Sequence, residues 1–557
     1  MKIRSHSMAA MIREQAKAVP NSPALMVPTG KQFTTLSYQE FWSNIQSYAA
    51  FLQSLGLTKG DRMIILSENC AEWIFAHYAG MSLGVITVPI YPTLPADQAQ
   101  YVAKDSAAKV ALCGSDEQKA KLGGIPGIHV EMLREERHGV LNETDWNHLI
   151  DSINPTDLAI FIYTSGTTGQ PKGAMLTHQA FLTVCEHITP YLGITTNDVF
   201  FSFLPLSHIF EQIASSLCFY AGACLGMNKS VMSIANDLLA IKPTVMVAVP
   251  RFLENFMDKI VDGMKKQSPM KQKLFRLYIS QGVKKAQGGF GPLHPLLDKI
   301  VGTKIRARLG GKMRLVVSGG AALPKHVAEF YLALGLTVLQ GYGLTETTGG
   351  SVVNHPKRNK YWTVGEPVGV ALKLAHDGEI LLKGPTIMVG YYNLPEETER
   401  AIDRDGWFHT GDIGEMEGKA LKITDRKKDI LVLGNGKNVA PQLIENLIRE
   451  SKFITEAVVL GDGMDYCIAL ILPNREAIRT ELGLSEDANL ADTPEVRDLL
   501  KKEIDKTNKQ VSNFEMVKKW ALIDDAFTIE NGFLTPTLKV KRKIVKEKYA
   551  TLIDSLR

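Results

Sequence analysis

The chain is poor in cysteine. Six occur in 557 residues (Cys70, Cys113, Cys185, Cys218, Cys224 and Cys467), with no CxxC and no paired spacing. That excludes a disulfide-stapled scaffold and a zinc site built on paired thiols, and it points to reduced cysteines in a cytoplasmic compartment. Nowhere do eighteen apolar residues run together, so no membrane-spanning helix is expected. The opening MKIRSHSMAAMIREQ lacks an apolar stretch of signal-peptide length. No charge of one sign dominates: the formal charge is +4, too small at this length to indicate a nucleic-acid partner. Internal repeats and low-complexity tracts are also missing.

What is present is an ordinary globular mixture, 45% hydrophobic and 22% charged, long enough for two or more folding units. From residue 36 the pattern alternates. LSYQEFWSNIQSYAAFLQSLG (36–56) has apolar residues at helical spacing and stops at Gly56; DRMIILSEN (61–69) reads as a strand, CAEWIFAHYAGMSLG (70–84) as a helix and VITVPIYP (85–92) as a strand. A helix near 96–105 and a strand near 109–113 follow, and strand-like runs return at 245–250, 313–320 and 336–343. Such alternation predicts βαβ units in a mostly parallel sheet covered by helices. After residue 365 short strands and turns dominate. Past 437 a smaller α+β section has helices at 441–451 and 493–510 and strands at 456–461 and 466–473. The exposed charged turn DRKKD (425–429) is the expected boundary, dividing the chain into domains 1–425 and 426–557. Residues 253–310 read as a basic, helical excursion, either a solvated insertion or a membrane-docking patch.

One stretch is spent on almost nothing that builds a core. YTSGTTGQPKGAMLTH (163–178) follows the strand-like LAIFIYT and offers backbone N–H groups at Gly166, Gly169 and Gly173, hydroxyls at Thr164, Ser165, Thr167 and Thr168, and the cation Lys172. This is the chemistry of a phosphate cradle. It is not a Walker A loop, because Lys172 follows Gly169 by three residues and precedes glycine rather than Ser or Thr. Read alone, the stretch fits a flexible surface turn equally well.

Further strings follow in order: PLSHIFEQ (205–212), SGGAALP (318–324), QGYGLTET (340–347), GWFHTGDIG (406–414), DRKKDILVLGNGKNVAP (425–441) and LTPTLKVKR (534–542). Together they resemble the motif series of the adenylate-forming (AMP-binding) superfamily, which includes acyl-CoA synthetases, peptide-synthetase adenylation domains and beetle luciferase. GWFHTGDIG running into LKITDRKKDI is similar to bacterial long-chain fatty acyl-CoA synthetases, although the turn MEGKA (416–420) is shorter than expected there and Lys437 departs from the usual residue. The resemblance implies an α/β fold. A large N-terminal domain of parallel βαβ-type sheets with helices, plus a small β-barrel-like subdomain, would be followed by a small mobile α+β C-terminal domain.

It also implies a reaction: ATP-dependent activation of a long-chain fatty acid to acyl-AMP, then transfer to coenzyme A, with Mg²⁺ as the metal. By the same resemblance Lys539 is the catalytic cation, Glu346 the Mg²⁺ ligand with Thr167, Thr345 an α-phosphate donor, and His208 a gate between nucleotide and acyl tunnel. Gly319, Gly320, Ala321, Gly341 and Tyr342 form an adenine slot, and Gln340, Gly343 and Ile423 are further cofactor-binding positions. Asp412 and Arg426 hold the ribose, Lys428 is the pivot of a rotating lobe, and Gly436 with Lys437 faces the thiol tunnel. Phe210, Val317 and Gly343 are candidates for the acyl pocket. The expected partners are fatty acid, ATP and CoA, with a homodimer and peripheral contact at the inner face of a membrane left open. Three other readings compete: an acyl-[acyl-carrier-protein] synthetase or fatty acyl-AMP ligase, a non-catalytic nucleotide- or lipid-binding protein, and a P-loop phosphotransferase.

Overall fold

Helix starts and stops follow local chemistry. Ser37 caps helix Tyr38–Ser54 in a reciprocal capping box with Glu40, and the helix ends before Gly56, whose φ is 76°. Its buried residues Tyr38, Phe41, Ile45, Tyr48, Ala49 and Leu52 share one face at helical spacing. The structure, a computed structural model, describes residues 5–135, 137, 139–165, 170–528, 531–534 and 540–557. Two compact units emerge: Met1–Lys373, Leu381–Thr410 and Gly418–Leu421 form the first, and Leu374–Ile380, Gly411–Glu417 and Lys422–Arg557 the second.

Among the described residues the first unit contains two large sheets. One runs Gly390–Tyr391, Pro171–Thr177, Leu158–Ser165, Ile86–Ile90, Arg62–Leu66, Val110–Cys113, His129–Met132. Its strands from Leu158–Ser165 onward are parallel, and the helices between them, Ala71–Ser82 and Ala96–Asp105 for example, make the crossovers. The other has nine strands, with Cys224–Met227, Val199–Ser202, Val245–Ala248, Leu315–Ser318 and Thr337–Tyr342 as its parallel centre. This is the α/β architecture the alternating pattern predicts. A four-stranded sheet, in the order Ala371–Leu374, Glu379–Lys383, Phe408–Glu417, Ala420–Arg426, stands where the small β subdomain is expected, and the chain passes from one unit to the other within it.

The excursion at 253–310 is more than a solvated insertion. It folds into helices Pro250–Lys265 and Pro269–Ala286 with shorter turns, and buries Leu253, Ile260, Phe275, Tyr278, Leu297 and Ile305 in a core shared with Val327, Phe330 and Tyr331. Its basic residues hid the apolar positions from a reading of composition. In the second unit, strand Cys467–Pro473 is covered on both faces. Cys467, Ala469 and Ile471 join one cluster, and Ile468, Leu470 and Leu472 another, so the run CIALILP is continuously apolar.

Candidate active site

The parallel strands of the nine-stranded sheet end at a cavity, as open α/β sheets dispose their ligand sites. Val247 and Val317 reach it from strands Val245–Ala248 and Leu315–Ser318, and Gly319 and Gly320 from the turn that follows. Helix Ile209–Tyr220 lines one side with Ile209, Phe210, Ile213 and Leu217, four positions on one face. Gly341, Tyr342 and Gly343 close the other side, and the space measures about 620 Å³ with its open mouth. The lining is mostly apolar, with His208 and Tyr342 its polar side chains, which suits a hydrophobic chain ending in a polar group. Small residues are required here. A Cβ on Gly319 would lie 3.0 Å from the Phe210 ring, and one on Gly343 would lie 2.6 Å from the backbone of Gly349.

His208 caps helix Ile209–Tyr220: its Nδ1 accepts the Phe210 N–H at 3.1 Å. The neutral ring therefore carries its proton on Nε2, as a donor. Beside it, burial raises the carboxyl of Glu211 to about 8, and Oε2 has no hydrogen-bond partner among the described residues. Gln340, by contrast, does not line the cavity. Its amide spans the fold, Oε1 accepting from Leu323 N at 3.0 Å and Nε2 donating to Tyr361 O at 2.7 Å. Ala321 is exposed.

The turn Thr345–Thr347 holds Glu346 half-buried. Tyr391 donates its hydroxyl to Glu346 Oε1 at 2.8 Å, and the Met388 N–H donates to the Glu346 carbonyl at 2.8 Å. Burial and the Glu346 charge both push the Tyr391 phenol up, so it stays protonated as a donor. Lys172, opposite Thr164 in strand register, pairs with Glu397, and its Nζ lies 5.4 Å from the centre of the Tyr391 ring. Gly173 is a glycine for a packing reason, since a Cβ would sit 2.9 Å from the Tyr163 ring. Ser165 ends its strand opposite Pro171. Gly166, Thr167, Thr168, Gly169 and Lys539 lie outside the described residues. Sequence reading missed Tyr391 and Glu397, which stand in GYYNLPEETE, a stretch with no chemical signature of its own.

Within the second unit Asp412 is buried and accepts from Arg426 Nε at 2.8 Å. Ile423 lies half-buried on strand Ala420–Arg426. Asp425, raised to about 7 by burial, accepts from the backbone N–H of Arg426 and of Gln442. Lys427 pairs with Asp377 at 2.7 Å and Glu379 at 2.9 Å, while Lys428 beside it is exposed. Gly436, with φ 76°, makes the turn that exposes Lys437, whose Nζ is 5.7 Å from the Phe514 ring centre.

Glu346 fits Mg²⁺ by donor chemistry. Among the described residues no cluster of three or more His, Cys, Asp or Glu could hold a metal alone. A single accessible carboxylate is what magnesium uses when phosphate oxygens and water complete its shell.

Comparison with known proteins adds independent findings. The AMP-binding enzyme family matches residues 12–392, and the AMP-binding enzyme C-terminal domain matches residues 428–557. Long-chain-fatty-acid–CoA ligase FadD15 of Mycobacterium bovis is 33% identical over 99% of this chain and 97% of its own length. Long-chain-fatty-acid–CoA ligase 5 of Rattus norvegicus is also 33% identical, over 96% of this chain and 86% of its own. Among solved structures, the fatty acyl CoA synthetase of Mycobacterium tuberculosis superposes with a TM-score of 0.65 at 22% identity, over 98% of this chain and 99% of that one. That likeness speaks to the fold alone.

Proposed function

The chain belongs to the AMP-binding enzyme family, and from that premise we propose that it activates long-chain fatty acids with ATP and transfers them to coenzyme A. The observation that carries the reading is the apolar cavity, where PLSHIFEQ, SGGAALP and QGYGLTET converge although they are far apart in sequence. In the first half-reaction a carboxylate oxygen bonds to the α-phosphorus of ATP and the bond to the leaving pyrophosphate breaks. An anion must approach a polyanion, so preorganised donors and cations supply most of the rate. His208 offers Nε2–H to the fatty carboxylate at the cavity wall, and Phe210, Ile213 and Leu217 keep water from its chain.

Thr164, Ser165, Gly166, Thr167, Thr168, Gly169 and Lys172 cradle the triphosphate, and Thr345 donates to the α-phosphate. Glu346, with Thr167, holds Mg²⁺, which when bound adds positive charge against the phosphate oxygens. Lys539 brings the final cation. Adenine enters beside Gly319, Gly320, Gly341 and Tyr342, and Asp412 with Arg426 takes the ribose. In the second half-reaction the coenzyme thiol attacks the acyl carbonyl and AMP leaves. The domain from residue 426 onward pivots at Lys428 between the halves, bringing Gly436 and Lys437 to the thiol channel. The ion pairs of Lys427 with Asp377 and Glu379 support this pivot by anchoring the residue just before it.

No helix among the described residues is long and apolar enough to cross a membrane. Phe290, Met270 and Leu296 stand 85%, 75% and 61% exposed among the lysines of the 253–310 segment, which supports peripheral docking on an anionic bilayer. Incubation with ATP, Mg²⁺, CoA and a C8 to C20 acid mixture, followed by mass identification, should yield long-chain thioesters, AMP and pyrophosphate. Acyl-AMP accumulating without any thioester would overturn the ligase assignment. Lys539→Ala should slow pyrophosphate release by about two to three orders of magnitude.

A further inference from the structure

The turn that carries Glu346 is stitched to one neighbouring segment. Met388 N donates to the Glu346 carbonyl at 2.8 Å, Thr348 Oγ1 donates to Thr386 O at 2.7 Å, and Tyr391 Oη donates to Glu346 Oε1 at 2.8 Å. Backbone and side chain of the carboxylate residue are thus both held by residues 386–391.

Tyr391 is itself rigidly mounted. It sits in the short strand Gly390–Tyr391, registered antiparallel against Ala174 two residues beyond Lys172. Its N–H donates to Thr398 Oγ1 at 2.9 Å, and the next residue, Tyr392, donates from its backbone to Gly173 O at 2.8 Å. Gly390 admits no side chain, because a Cβ would lie 2.6 Å from Thr398. The phenol ring therefore has little freedom, and it touches both charges of the phosphate end of the site: the Lys172 ammonium 5.4 Å from its centre and the Glu346 carboxylate at its hydroxyl. Glu397 pairs with Lys172 and also accepts from Arg400 at 2.7 Å.

We propose that Tyr391 is the positioning residue of the metal-and-phosphate end of the site: its hydroxyl occupies Oε1 of Glu346 and so presents Oε2 to the cation, while its ring fixes the separation of that carboxylate from Lys172. The proposal rests on Glu346 being the metal ligand, as assigned under the proposed function. A carboxylate with both oxygens unconstrained would rotate or chelate through both. Magnesium, which demands near-ideal octahedral geometry, is sensitive to that freedom. Partners that orient a ligating group are commonly worth about ten- to a hundredfold in metal affinity.

The test uses Mn²⁺ as a spectroscopic probe with α,β-methylene-ATP, which cannot be cleaved at the reacting bond. Bound Mn²⁺ is read by electron paramagnetic resonance, and metal-free analogue affinity in EDTA by calorimetry, on the full chain. Y391F keeps the ring and loses the hydroxyl. Its Mn²⁺ affinity should fall about tenfold, while its metal-free analogue affinity stays within about twofold of the parent. Parental Mn²⁺ affinity in Y391F overturns the proposal. So does an equal loss of metal-free analogue binding in Y391F, which would mark a general loosening. Failure of the parent chain to take up Mn²⁺ with the analogue would instead sink the assignment of Glu346 and leave the tyrosine's role without an object, a distinguishable result.

Discussion

Single residues are decided by what lies opposite them. Gly173 reads in sequence as a phosphate-loop donor, yet its lack of a side chain is explained by the Tyr163 ring, which a Cβ would approach to 2.9 Å. The ring is tethered, its hydroxyl donating to Asp105 at 2.6 Å, so it cannot yield cheaply. Gly173→Ala should therefore destabilise the first unit by about 1–3 kcal/mol, the usual cost of overpacking. Urea unfolding followed by tryptophan fluorescence checks this, and a midpoint equal to the parent's would contradict it. His208 gives a second prediction. Because Nδ1 accepts the Phe210 N–H, nitrogen NMR should report a pyridine-like Nδ1 and a protonated Nε2 in the neutral ring. The opposite tautomer would remove the proposed donor to the carboxylate.

At the scale of elements, helix Ile209–Tyr220 couples the cap to the cavity. Ile209, Phe210, Ile213 and Leu217 all line it, and Ile213 and Leu217 stand one helical turn apart, about 6 Å along the axis at 1.5 Å per residue. Bulk added at Leu217, nine residues along the chain from His208, should shorten the space. Leu217→Trp should shift the thioesters formed from a mixed-acid incubation toward shorter chains while pyrophosphate exchange with the shortest acid is retained. An unchanged product distribution would mean that the acyl chain lies elsewhere. Element types were legible in the sequence. The helix at 96–105 spans Ala96–Asp105, and the strand-like run at 466–473 appears as Cys467–Pro473. Only the excursion misled, because lysines are interspersed among the apolar residues that anchor it.

For the molecule as a whole, buried titratable groups set a pH dependence. Burial depresses His77 from 6.5 to about 3 and His178 from 6.5 to about 4. Below pH 6.5 the unfolded chain takes up protons that the folded one refuses, so their contribution falls as pH drops. Glu211 works the other way, raised from 4.5 to about 8. Between those values the folded chain keeps a proton that the unfolded chain has lost, so its contribution falls as pH rises. Two histidines outweigh one glutamate below 6.5, and the glutamate acts alone above it. Stability of the first unit should therefore peak near pH 6.5 and decline toward pH 8. Glu211→Gln should flatten that decline in urea midpoints measured at pH 6.5 and 8.5. A parallel decline in the variant would assign it to other groups.

The order of the motifs and the alternation of strand and helix settle the α/β architecture and the family from the sequence by itself, because periodicity records which faces must be buried and loop chemistry records which groups must stay available. The tertiary structure alone decided that the Gln340 amide turns inward to Leu323 and Tyr361 and that Tyr391 meets Glu346. It alone joined Lys172 to Glu397 across 225 residues. Such pairings depend on the register between strands distant in the chain, and a linear pattern of apolar and polar residues carries no information about which distant neighbour arrives at a given edge.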